Sequence, residues 1–525
     1  MKKRLALILS LFLLLPVLAG VAETLPIVEE PVTLTYFMNT DVKWSATKNS
    51  VAEVGSYQVI MDKTNVNIQF IHPAANQETE QFNLMIASNQ LPDMIFYNWA
   101  NVPGGPAKYI DDGVILNLNE AIDKWAPNLK ALMEKYPEAK KQSVLDDGTF
   151  YMFPMFRMNQ DNPTGEWFRV TGHMIRQDWL DKLELSMPTT LDELYNVLVA
   201  FRDKDPNANG LKDEIPFTAQ AAYGVKNFAG AFGTGPDFIV KEGQVIYGPL
   251  TPEYRDYVDT MRKWFAEGLI DNEYALADGA AITTKVTSNL AGSTFSLLAG
   301  GMGTWVNMMD GKDGFNLVAM PWIKNNADAP AYANQDEYIR IVPGMGTAIT
   351  TACKNVEVAV KFRDYFYGEQ GIIDSNFGIL GESYTMVDGK PVYTDNVLKN
   401  DKGLTTTQAL SQYVLSSSND AMVKTSDYFK QITLLLDVQK ESQPVWSACD
   451  TSLLVPPITQ TADEATEIAQ IMSNVSTYRD EMLIKFIMGQ KPMDEFDAFV
   501  AEIQRLGIAK VLEHKNAAYQ RYLSR

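Results

Sequence analysis

A short stretch of the 525-residue chain places oxygen-bearing side chains at closely spaced positions. Counted from Asp205, positions 1, 3, 5, 9 and 10 are Asp205, Asn207, Asn209, Asp213 and Glu214. Position 6 is Gly210, where a calcium loop turns sharply, and position 7 is Leu211, which would contribute its backbone carbonyl. Calcium prefers about six to eight oxygen ligands. The spacing therefore predicts a Ca²⁺ site formed by Asp205, Asn207, Asn209, Leu211, Asp213 and Glu214.

The match to an EF-hand loop is incomplete. Position 12 is Pro216, so the bidentate glutamate that normally closes the calcium shell is absent, and Asp213 and Glu214 would have to replace it. The alternative is a solvated loop whose Asn and Asp side chains form Asx turns. No nucleophile or general base stands nearby in the sequence, so we interpret the metal as structural.

Two predicted helices begin with capping motifs. The apolar residues of 190–204, directly before the loop, recur on one helical face. Thr190 with Glu193 forms a capping box, in which each side chain accepts a hydrogen bond from the first helical turn. The same pair recurs as Thr461 and Glu464 ahead of a long helix near the C-terminus.

The first part of the chain alternates apolar runs with helical segments. Strands are predicted at 32–37, 66–71 and 94–97, and a helix at 77–88. This order predicts an α/β fold with a mainly parallel sheet covered by helices. Ligands of such sheets bind beyond the carboxyl ends of the strands.

The N-terminus has the layout of a secretory signal peptide. Basic residues precede an apolar stretch that is shorter than the roughly 20 residues of a membrane span, and Ala22 suits cleavage. We predict a signal peptide over 1–22, a linker over 23–31 and an exported protein, extracellular or periplasmic; an uncleaved anchor is the alternative. Val21 stands where a lipoprotein signal has its cysteine, so the sequence argues against lipid anchoring.

Composition narrows the range of partners. The chain has 65 acidic and 45 basic residues, a formal net charge of −20. Nucleic acids and anionic membranes need basic patches, so neither is an expected partner. With only 3 histidines, a His-rich metal site is disfavoured. Cys353 and Cys449 would be able to pair after export, or to remain as two buried thiols.

Six motifs give the chain a family resemblance. It resembles the extracellular solute-binding proteins of family 1, particularly the large carbohydrate-type members that include alginate-oligosaccharide-binding proteins and the LplA-type lipoproteins. The motifs are 87–93 (Ala-Ser-Asn-Gln-Leu-Pro-Asp), 109–116 (Tyr-Ile-Asp-Asp-Gly-Val-Ile-Leu), 147–154 (Asp-Gly-Thr-Phe-Tyr-Met-Phe-Pro), 175–183 (Ile-Arg-Gln-Asp-Trp-Leu-Asp-Lys-Leu), 376–384 (Asn-Phe-Gly-Ile-Leu-Gly-Glu-Ser-Tyr) and 486–496 (Phe-Ile-Met-Gly-Gln-Lys-Pro-Met-Asp-Glu-Phe).

The resemblance implies a two-lobed periplasmic-binding-protein fold of type II, in which each lobe is a mainly parallel sheet flanked by helices, with a helical C-terminal region. It assigns 32–152 plus 341–404 to an N-terminal lobe and 153–340 plus 405–525 to a C-terminal lobe. It also implies a monomeric, non-enzymatic protein that closes over a carbohydrate ligand. This ligand is expected to be an oligosaccharide, which the protein delivers to the permease subunits of an ABC importer. Calcium in the matching loop is part of the same expectation.

A sugar offers hydroxyl edges and apolar ring faces, so its binder needs aromatic plates and polar side chains in a cleft. Candidates lie after predicted strands or in Gly-rich loops: Asn39, Asp41, Trp44, Tyr97, Asn98, Trp99, Arg157, Trp167, Trp305, Glu382, Tyr384 and Trp446. For the aromatic candidates the alternative is core packing, and for Asn39 and Asp41 it is a capping or turn role.

Two other functions fit an exported chain of this kind. A glycan-degrading enzyme would need two carboxylates about 5–10 Å apart, and the sequence contains no paired motif of that sort. A sensory protein that presents its ligand to a receptor is the second alternative.

Overall fold

A computed structural model describes residues 25–161, 167–220, 223–312, 314–333, 341–400, 402–415 and 420–525. The predicted signal peptide lies outside the described residues. Among those that are described, no helix is both long and apolar enough to cross a membrane. The predicted linker is packed rather than extended: the amide of Ile27 donates to Thr64 O at 3.0 Å, and Ile27 and Val28 pack against the core.

The strands form two main sheets and two hairpins. In chain order they are β1 (Val32–Phe37), β2 (Val66–Ile71), β3 (Met94–Asn98), β4 (Phe153–Met158), β5 (Thr171–Arg176), β6 (Ile215–Ala219), β7 (Phe238–Lys241), β8 (Gln244–Tyr247), β9 (Ala291–Leu297), β10 (Leu317–Ala319), β11 (Ile341–Ile349), β12 (Tyr384–Val387), β13 (Lys390–Tyr393) and β14 (Val423–Thr425). One sheet has the order β14-β4-β11-β3-β1-β2 and the other the order β10-β5-β9-β6. The hairpins are β7–β8 and β12–β13.

The six-stranded sheet has one reversed strand. β1 pairs in parallel with β2 and β3, and β14 pairs in parallel with β4, whereas β11 runs antiparallel between β3 and β4. The carboxyl ends of β1, β3, β4 and β14 therefore lie along the same edge. The three strands predicted near the N-terminus are present, and the α/β class is confirmed. The sheets are mixed rather than mainly parallel in both lobes: in the four-stranded sheet β5 runs antiparallel to β9 and β10, and β6 pairs in parallel with β9.

Helices cover both sheets. They are α1 (Val42–Ser45), α2 (Gly55–Thr64), α3 (Glu78–Ser88), α4 (Gly105–Asp111), α5 (Asn119–Trp125), α6 (Pro127–Lys135), α7 (Pro137–Ser143), α8 (Gln177–Lys182), α9 (Leu191–Asp203), α10 (Pro252–Ala266), α11 (Gly279–Thr287), α12 (Thr304–Met308), α13 (Val356–Tyr365), α14 (Glu369–Phe377), α15 (Asp395–Leu398), α16 (Thr406–Ser411), α17 (Ser426–Thr433), α18 (Asp437–Ser447), α19 (Ala462–Ile487), α20 (Phe496–Arg505) and α21 (Ile508–Ser524). The predicted capping boxes of α9 and α19 are both formed.

Each main sheet has its own hydrophobic core, and we use the sheets to define two lobes. The first lobe packs around the six-stranded sheet, with Tyr36, Phe96 and Phe153 among its buried residues. The second packs around the four-stranded sheet, where Phe201 of α9 and Phe295 are buried. Burial of these apolar side chains supplies the main stabilisation of each lobe.

The sheet membership of two strands differs from the predicted lobe boundaries. The sequence resemblance placed 153–340 and 405–525 in the C-terminal lobe. The structure instead pairs β4 and β14 with the first sheet. Strand pairing between distant segments decides this, and no local sequence pattern records it. The chain therefore crosses between lobes after β4, after β10 and after β14.

The C-terminal helices belong to the second lobe but also contact the first. The guanidinium groups of Arg521 and Arg525 both pair with Asp146, which follows α7. Arg521 also pairs with Glu464 at 2.6 Å, at the start of α19. This cluster fastens the end of the chain to the first lobe.

The two cysteines lie in different lobes. Cys353 is buried in the first lobe and Cys449 is partly buried against the second. Burial raises the pKa of the Cys353 thiol to about 12. Cys353 packs with the first core and Cys449 with the second, so the two thiols are separate: one is buried and the other half-buried.

Candidate functional site

The carboxyl edge of the six-stranded sheet carries a first pocket of about 450 Å³. We call it the asparagine pocket, because Asn39, Asn83, Asn98 and Asn101 line it together with Tyr97. Asn39 follows β1, and Asn98 is the last residue of β3, so the parallel pairing of these strands brings them to one place. Three predicted ligand contacts, Asn39, Tyr97 and Asn98, thus meet in this pocket.

Two side-chain acceptors in the asparagine pocket lack donors. The Oδ1 atoms of Asn39 and Asn98 are buried, and no described group donates a hydrogen bond to either. A buried acceptor without a donor costs roughly 1–3 kcal/mol. Beside them the ring of Tyr97 stacks on Phe82, with centroids 4.0 Å apart and planes inclined by 8°. The pocket therefore combines unsatisfied acceptors with an aromatic surface.

A second pocket of about 300 Å³ lies where the two lobes meet. We call it the basic pocket, because Lys43, Arg157 and Lys424 line it. From the second lobe, Val170 precedes β5 and Ala299 follows β9. The antiparallel register of β5 with β9 puts these two residues at the same edge of the four-stranded sheet.

Aromatic residues form another wall of the basic pocket. Trp167, Tyr428 and Phe429 line it. The ring of Trp167 stacks on Phe168, with centroids 4.7 Å apart, and meets Phe429 edge-on at 5.4 Å. β4 and β3 are separated only by β11, so about two strand spacings, or about 10 Å, divide the basic pocket from the asparagine pocket.

Lys424 is the most desolvated charge at this edge. Its side chain is only 4% exposed, and its ammonium donates to Leu415 O at 2.6 Å. Burial lowers the pKa of Lys424 to about 7; Asp420 opposes this shift and Arg157 adds to it. The ammonium also lies 4.4 Å from the ring centroid of Tyr428.

Several predicted ligand contacts are core residues instead. The indoles of Trp99, Trp305 and Trp446 are buried, and their Nε1 atoms donate to Gly346 O, Thr283 Oγ1 and His173 O respectively. Gly172 leaves the room that Trp446 fills, since a Cβ there would lie 2.4 Å from the indole. Because their faces are buried in the core, these three indoles are not available to contact a ligand.

The remaining candidates have local structural roles. Trp44 is buried against the imidazole of His72, with ring centroids 4.8 Å apart. Asp41 caps α1 by accepting from the amide of Lys43 at 2.7 Å. Tyr384 is buried in the β12–β13 hairpin, and Glu382 is an exposed residue at its start. Of the twelve candidates, therefore, the two pockets bring together Asn39, Tyr97, Asn98, Arg157 and Trp167.

Sequence reasoning missed Lys424, Tyr428 and Phe429. β14 is only three residues long, too short for a periodic signal, and a lysine in an apolar context carries no cue of its own. The parallel pairing of β14 with β4 supplies the position. Lys43 was missed between two residues that were predicted, Asp41 and Trp44.

The predicted calcium loop forms a compact turn after α9. The carboxylate of Asp205 accepts from the amides of Asn209 and Gly210, each at 3.1 Å. The side-chain amide of Asn207 donates to Asp213 at 3.1 Å, and that of Asn209 donates to both Asp213 oxygens at 3.0 Å. The backbone φ of +77° at Gly210 is the left-handed turn for which glycine is suited.

Glu214 is a poorly satisfied carboxylate in this loop. Both of its carboxylate oxygens are buried and without a hydrogen-bond partner. Burial raises the pKa of Glu214, and the carboxylates of Asp205 and Asp213 raise it further. In the described parts of the chain, no three carboxylate, imidazole or thiol groups form a ready-made metal cluster. Calcium binding would require the amides of Asn207 and Asn209 to turn their oxygens inward.

The two α/β lobes share a pocket at their strand ends, which is where ligands of such sheets bind. The family model described as "Bacterial extracellular solute-binding protein" matches residues 49–372. The chain belongs to this family, as its sequence motifs predicted.

Individual relatives support the same assignment. The chain is 27% identical, over 84% of its length and 82% of the relative's, to the fructooligosaccharide ABC transporter substrate-binding protein FusA of Streptococcus pneumoniae. It is 30% identical, over 48% and 47%, to the polygalacturonan/rhamnogalacturonan-binding protein YtcQ of Bacillus subtilis. Among solved structures, the alginate-binding protein AlgQ2 without calcium ion matches with a TM-score of 0.73 and 26% identity, over 94% of this chain and 99% of that one.

Proposed function

We propose that the protein captures an oligosaccharide between its two lobes and delivers it to an ABC importer. Family membership supports the role. The names of the similar proteins FusA, YtcQ and AlgQ2 each mention a carbohydrate: fructooligosaccharide, polygalacturonan/rhamnogalacturonan and alginate. The observation that carries the proposal is the pair of buried, donor-less Oδ1 atoms of Asn39 and Asn98 beside the Tyr97 ring. Sugar hydroxyls are donors that would satisfy both.

The proposed mechanism is closure about the crossings between the lobes. The basic pocket already has walls from both lobes, with Arg157 on one side and Ala299 on the other. A ligand that contacts both walls favours the closed state by its differential affinity for the two states. The closed form would then be the one that docks on the membrane permease. We propose that the protein acts as a monomer and without catalysis.

We propose that the loop after α9 holds a structural Ca²⁺. Its ligands would be Asp205, Asn207, Asn209, the carbonyl of Leu211, Asp213 and Glu214. The donor set is all oxygen, which suits calcium, and the unpaired carboxylate of Glu214 fits a cation. Bound calcium would supply positive charge to the loop and fix the end of α9. We further propose export by the segment 1–22, without a lipid anchor because Val21 replaces the cysteine.

Changing Asn98 to alanine is expected to lower oligosaccharide affinity about tenfold, since one lost hydrogen bond of about 1.4 kcal/mol has that effect. The same variant should be at least as stable as the wild type, because it removes a buried acceptor that has no donor. Isothermal titration calorimetry against an oligosaccharide panel and urea unfolding measure the two effects.

Asn474→Ala is the matched control, because Asn474 is exposed on α19 and lines neither pocket. It should leave affinity unchanged. Equal affinity of Asn98→Ala and wild type for every bound sugar would contradict the assignment of the asparagine pocket. Shortened products after incubation with the panel would instead indicate a glycan-degrading enzyme.

A further inference from the structure

The basic pocket gathers positive charge in a protein whose net charge is −20. Lys43, Arg157 and Lys424 line it, and no Asp or Glu stands among the described residues of its wall. The asparagine pocket, about 10 Å away along the same edge, has the opposite character, with Glu78 and no basic residue in its described wall. Positive charge is therefore concentrated at one end of the candidate site.

Two of these cations are direct neighbours in the sheet. The parallel pairing of β14 with β4 sets Lys424 opposite Arg157. Residues paired in this way project from the same face of a sheet, and like charges directly opposite each other are destabilising. Arg157 accordingly contributes to lowering the pKa of Lys424, after the larger effect of burial. An anion between the two would offset this repulsion.

The burial of Lys424 adds to the cost. An ammonium that is 4% exposed loses most of its hydration, and among the described residues one carbonyl, Leu415 O, accepts its hydrogen bond at 2.6 Å. Buried charges are costly unless they are paired. An ammonium can donate up to about three hydrogen bonds, so Lys424 retains capacity for a ligand acceptor.

We propose that the basic pocket receives an anionic group of the oligosaccharide, a carboxylate or a sulfate ester, so that the ligand is an acidic sugar. This inference rests on the proposed carbohydrate-binding function. The guanidinium of Arg157 can hold either group by two parallel hydrogen bonds. Trp167 and Phe429 provide apolar surface for the ring that bears the charge.

The test uses matched pairs of tetrasaccharides. Each pair is a uronate tetramer and its carboxyl-reduced counterpart, which keeps the linkage and loses the charge; a sulfated form of the neutral tetramer is a third arm. Calorimetric titration of the wild type is expected to show at least tenfold tighter binding of a uronate, or of the sulfated form, than of the neutral partner. Preference for the sulfated arm alone would identify the sulfate ester as the anionic group.

Two variants test whether the preference for acidic sugars arises in the basic pocket. Lys424→Met and Arg157→Gln should each reduce the ratio of acidic-sugar affinity to neutral-sugar affinity at least tenfold. Lys399→Met is the matched control directly after α15, where Lys399 is 77% exposed and pairs with Asp395 at the surface. It should change neither affinity.

Each result has a definite meaning. Equal or tighter binding of the neutral partners overturns the inference and leaves the proposed function intact. A preference for acidic sugars that both variants retain also overturns it. Absence of binding by every tetrasaccharide, acidic and neutral, overturns the proposed function and the inference together.

Raising the pH from about 6 to about 9 should weaken uronate binding about tenfold and leave neutral binding unchanged. The pKa of Lys424, at about 7, means that its ammonium is present below this range and lost across it. A sugar carboxylate, like that of a side chain, stays ionised throughout. The measurement is calorimetric titration at several pH values, with Lys424→Met expected to be insensitive to pH.

The charged groups around Lys424 set the direction of this effect. Asp420 raises its pKa and Arg157 lowers it, while Lys43 faces the same pocket. On α14, which packs against β14, Asp374 is already paired with Lys63 at 2.7 Å. A pH dependence that persists in Lys424→Met would contradict the assignment to this lysine.

Discussion

Replacing Asp420 by asparagine is expected to lower the free energy of unfolding by about 3–5 kcal/mol. Asp420 and Arg363 form an ion pair at 3.0 Å in which both side chains are 0% exposed. The hydroxyl of Tyr36 donates to Asp420 at 2.8 Å and that of Tyr57 at 2.5 Å. Removing the negative charge would leave a fully buried guanidinium without its counterion.

The pKa of Arg363 shows how tightly the two groups depend on each other. Burial by itself lowers it, but Asp420 and the surrounding tyrosines more than offset that effect, so it rises above its usual value. Asp420 lies just before β14 and raises the pKa of Lys424, whereas Arg363 is in α13. The variant should therefore loosen the strand that carries the basic pocket as well as the core.

Urea unfolding followed by far-UV circular dichroism measures the change. Glu357→Gln is the matched control, since it makes the same carboxylate-to-amide change in an exposed pair with Lys361 on α13 and should cost under about 0.5 kcal/mol. Adding Arg363→Met to Asp420→Asn should recover part of the loss, because it removes the uncompensated charge. A loss under about 1 kcal/mol for Asp420→Asn would show that the pair does not hold this core.

Removing calcium is expected to destabilise the protein by about 4 kcal/mol relative to calcium at a thousand times its dissociation constant. The physical reason is the loop after α9, where the buried carboxylate of Glu214 has no partner and lies near Asp205 and Asp213. A bound Ca²⁺ would offset two of these three negative charges. Thermal unfolding by calorimetry, with calcium and with a chelator, measures the difference.

Two variants sharpen this measurement. Glu214→Gln should abolish most of the calcium effect and, in chelator, be more stable than the wild type, because the buried unpaired charge is gone. Glu120→Gln, at a 90% exposed position on α5, should respond to calcium as the wild type does. Unchanged melting of the wild type on chelation would refute the calcium assignment.

The raised pKa of Glu214 predicts a pH dependence for the proposed calcium site. Because the calcium-free carboxylate binds a proton more readily than usual, calcium must displace that proton as the pH falls. Calcium affinity should therefore decrease toward acidic pH. Glu214→Gln should show a weaker decrease.

Two of the aromatic candidates have different environments that the sequence does not distinguish. Trp99 and Trp167 both follow polar or strand-ending segments, and nothing in their neighbours separates them. In the fold, Trp99 is 0% exposed and bound to Gly346 O, whereas Trp167 lines the basic pocket. The difference arises from packing by segments far away in the chain, which a local pattern does not record.

The calcium loop, by contrast, is a local feature. Its candidate ligands lie within ten residues, and short-range hydrogen bonds alone bring Asn207, Asn209 and Asp213 together. The family motifs are likewise readable in order along the chain, and the match to the family model confirms them.

The sequence by itself determined the α/β class, the family, the capped helices and the composition of the loop. Each depends on residues that are close in the chain, where periodicity and capping act. Only the tertiary structure decided that β4 and β14 join the first sheet and that Lys424 stands opposite Arg157. These pairings join residues more than 180 positions apart, as in Phe156 with Ile341 and Arg157 with Lys424. Strand register between such distant segments is set by the packing of the whole lobe. The loop 205–214 can be recognised both in the sequence and in the fold because it is local. The positive charge of the basic pocket is visible only in the fold because its residues come from distant segments.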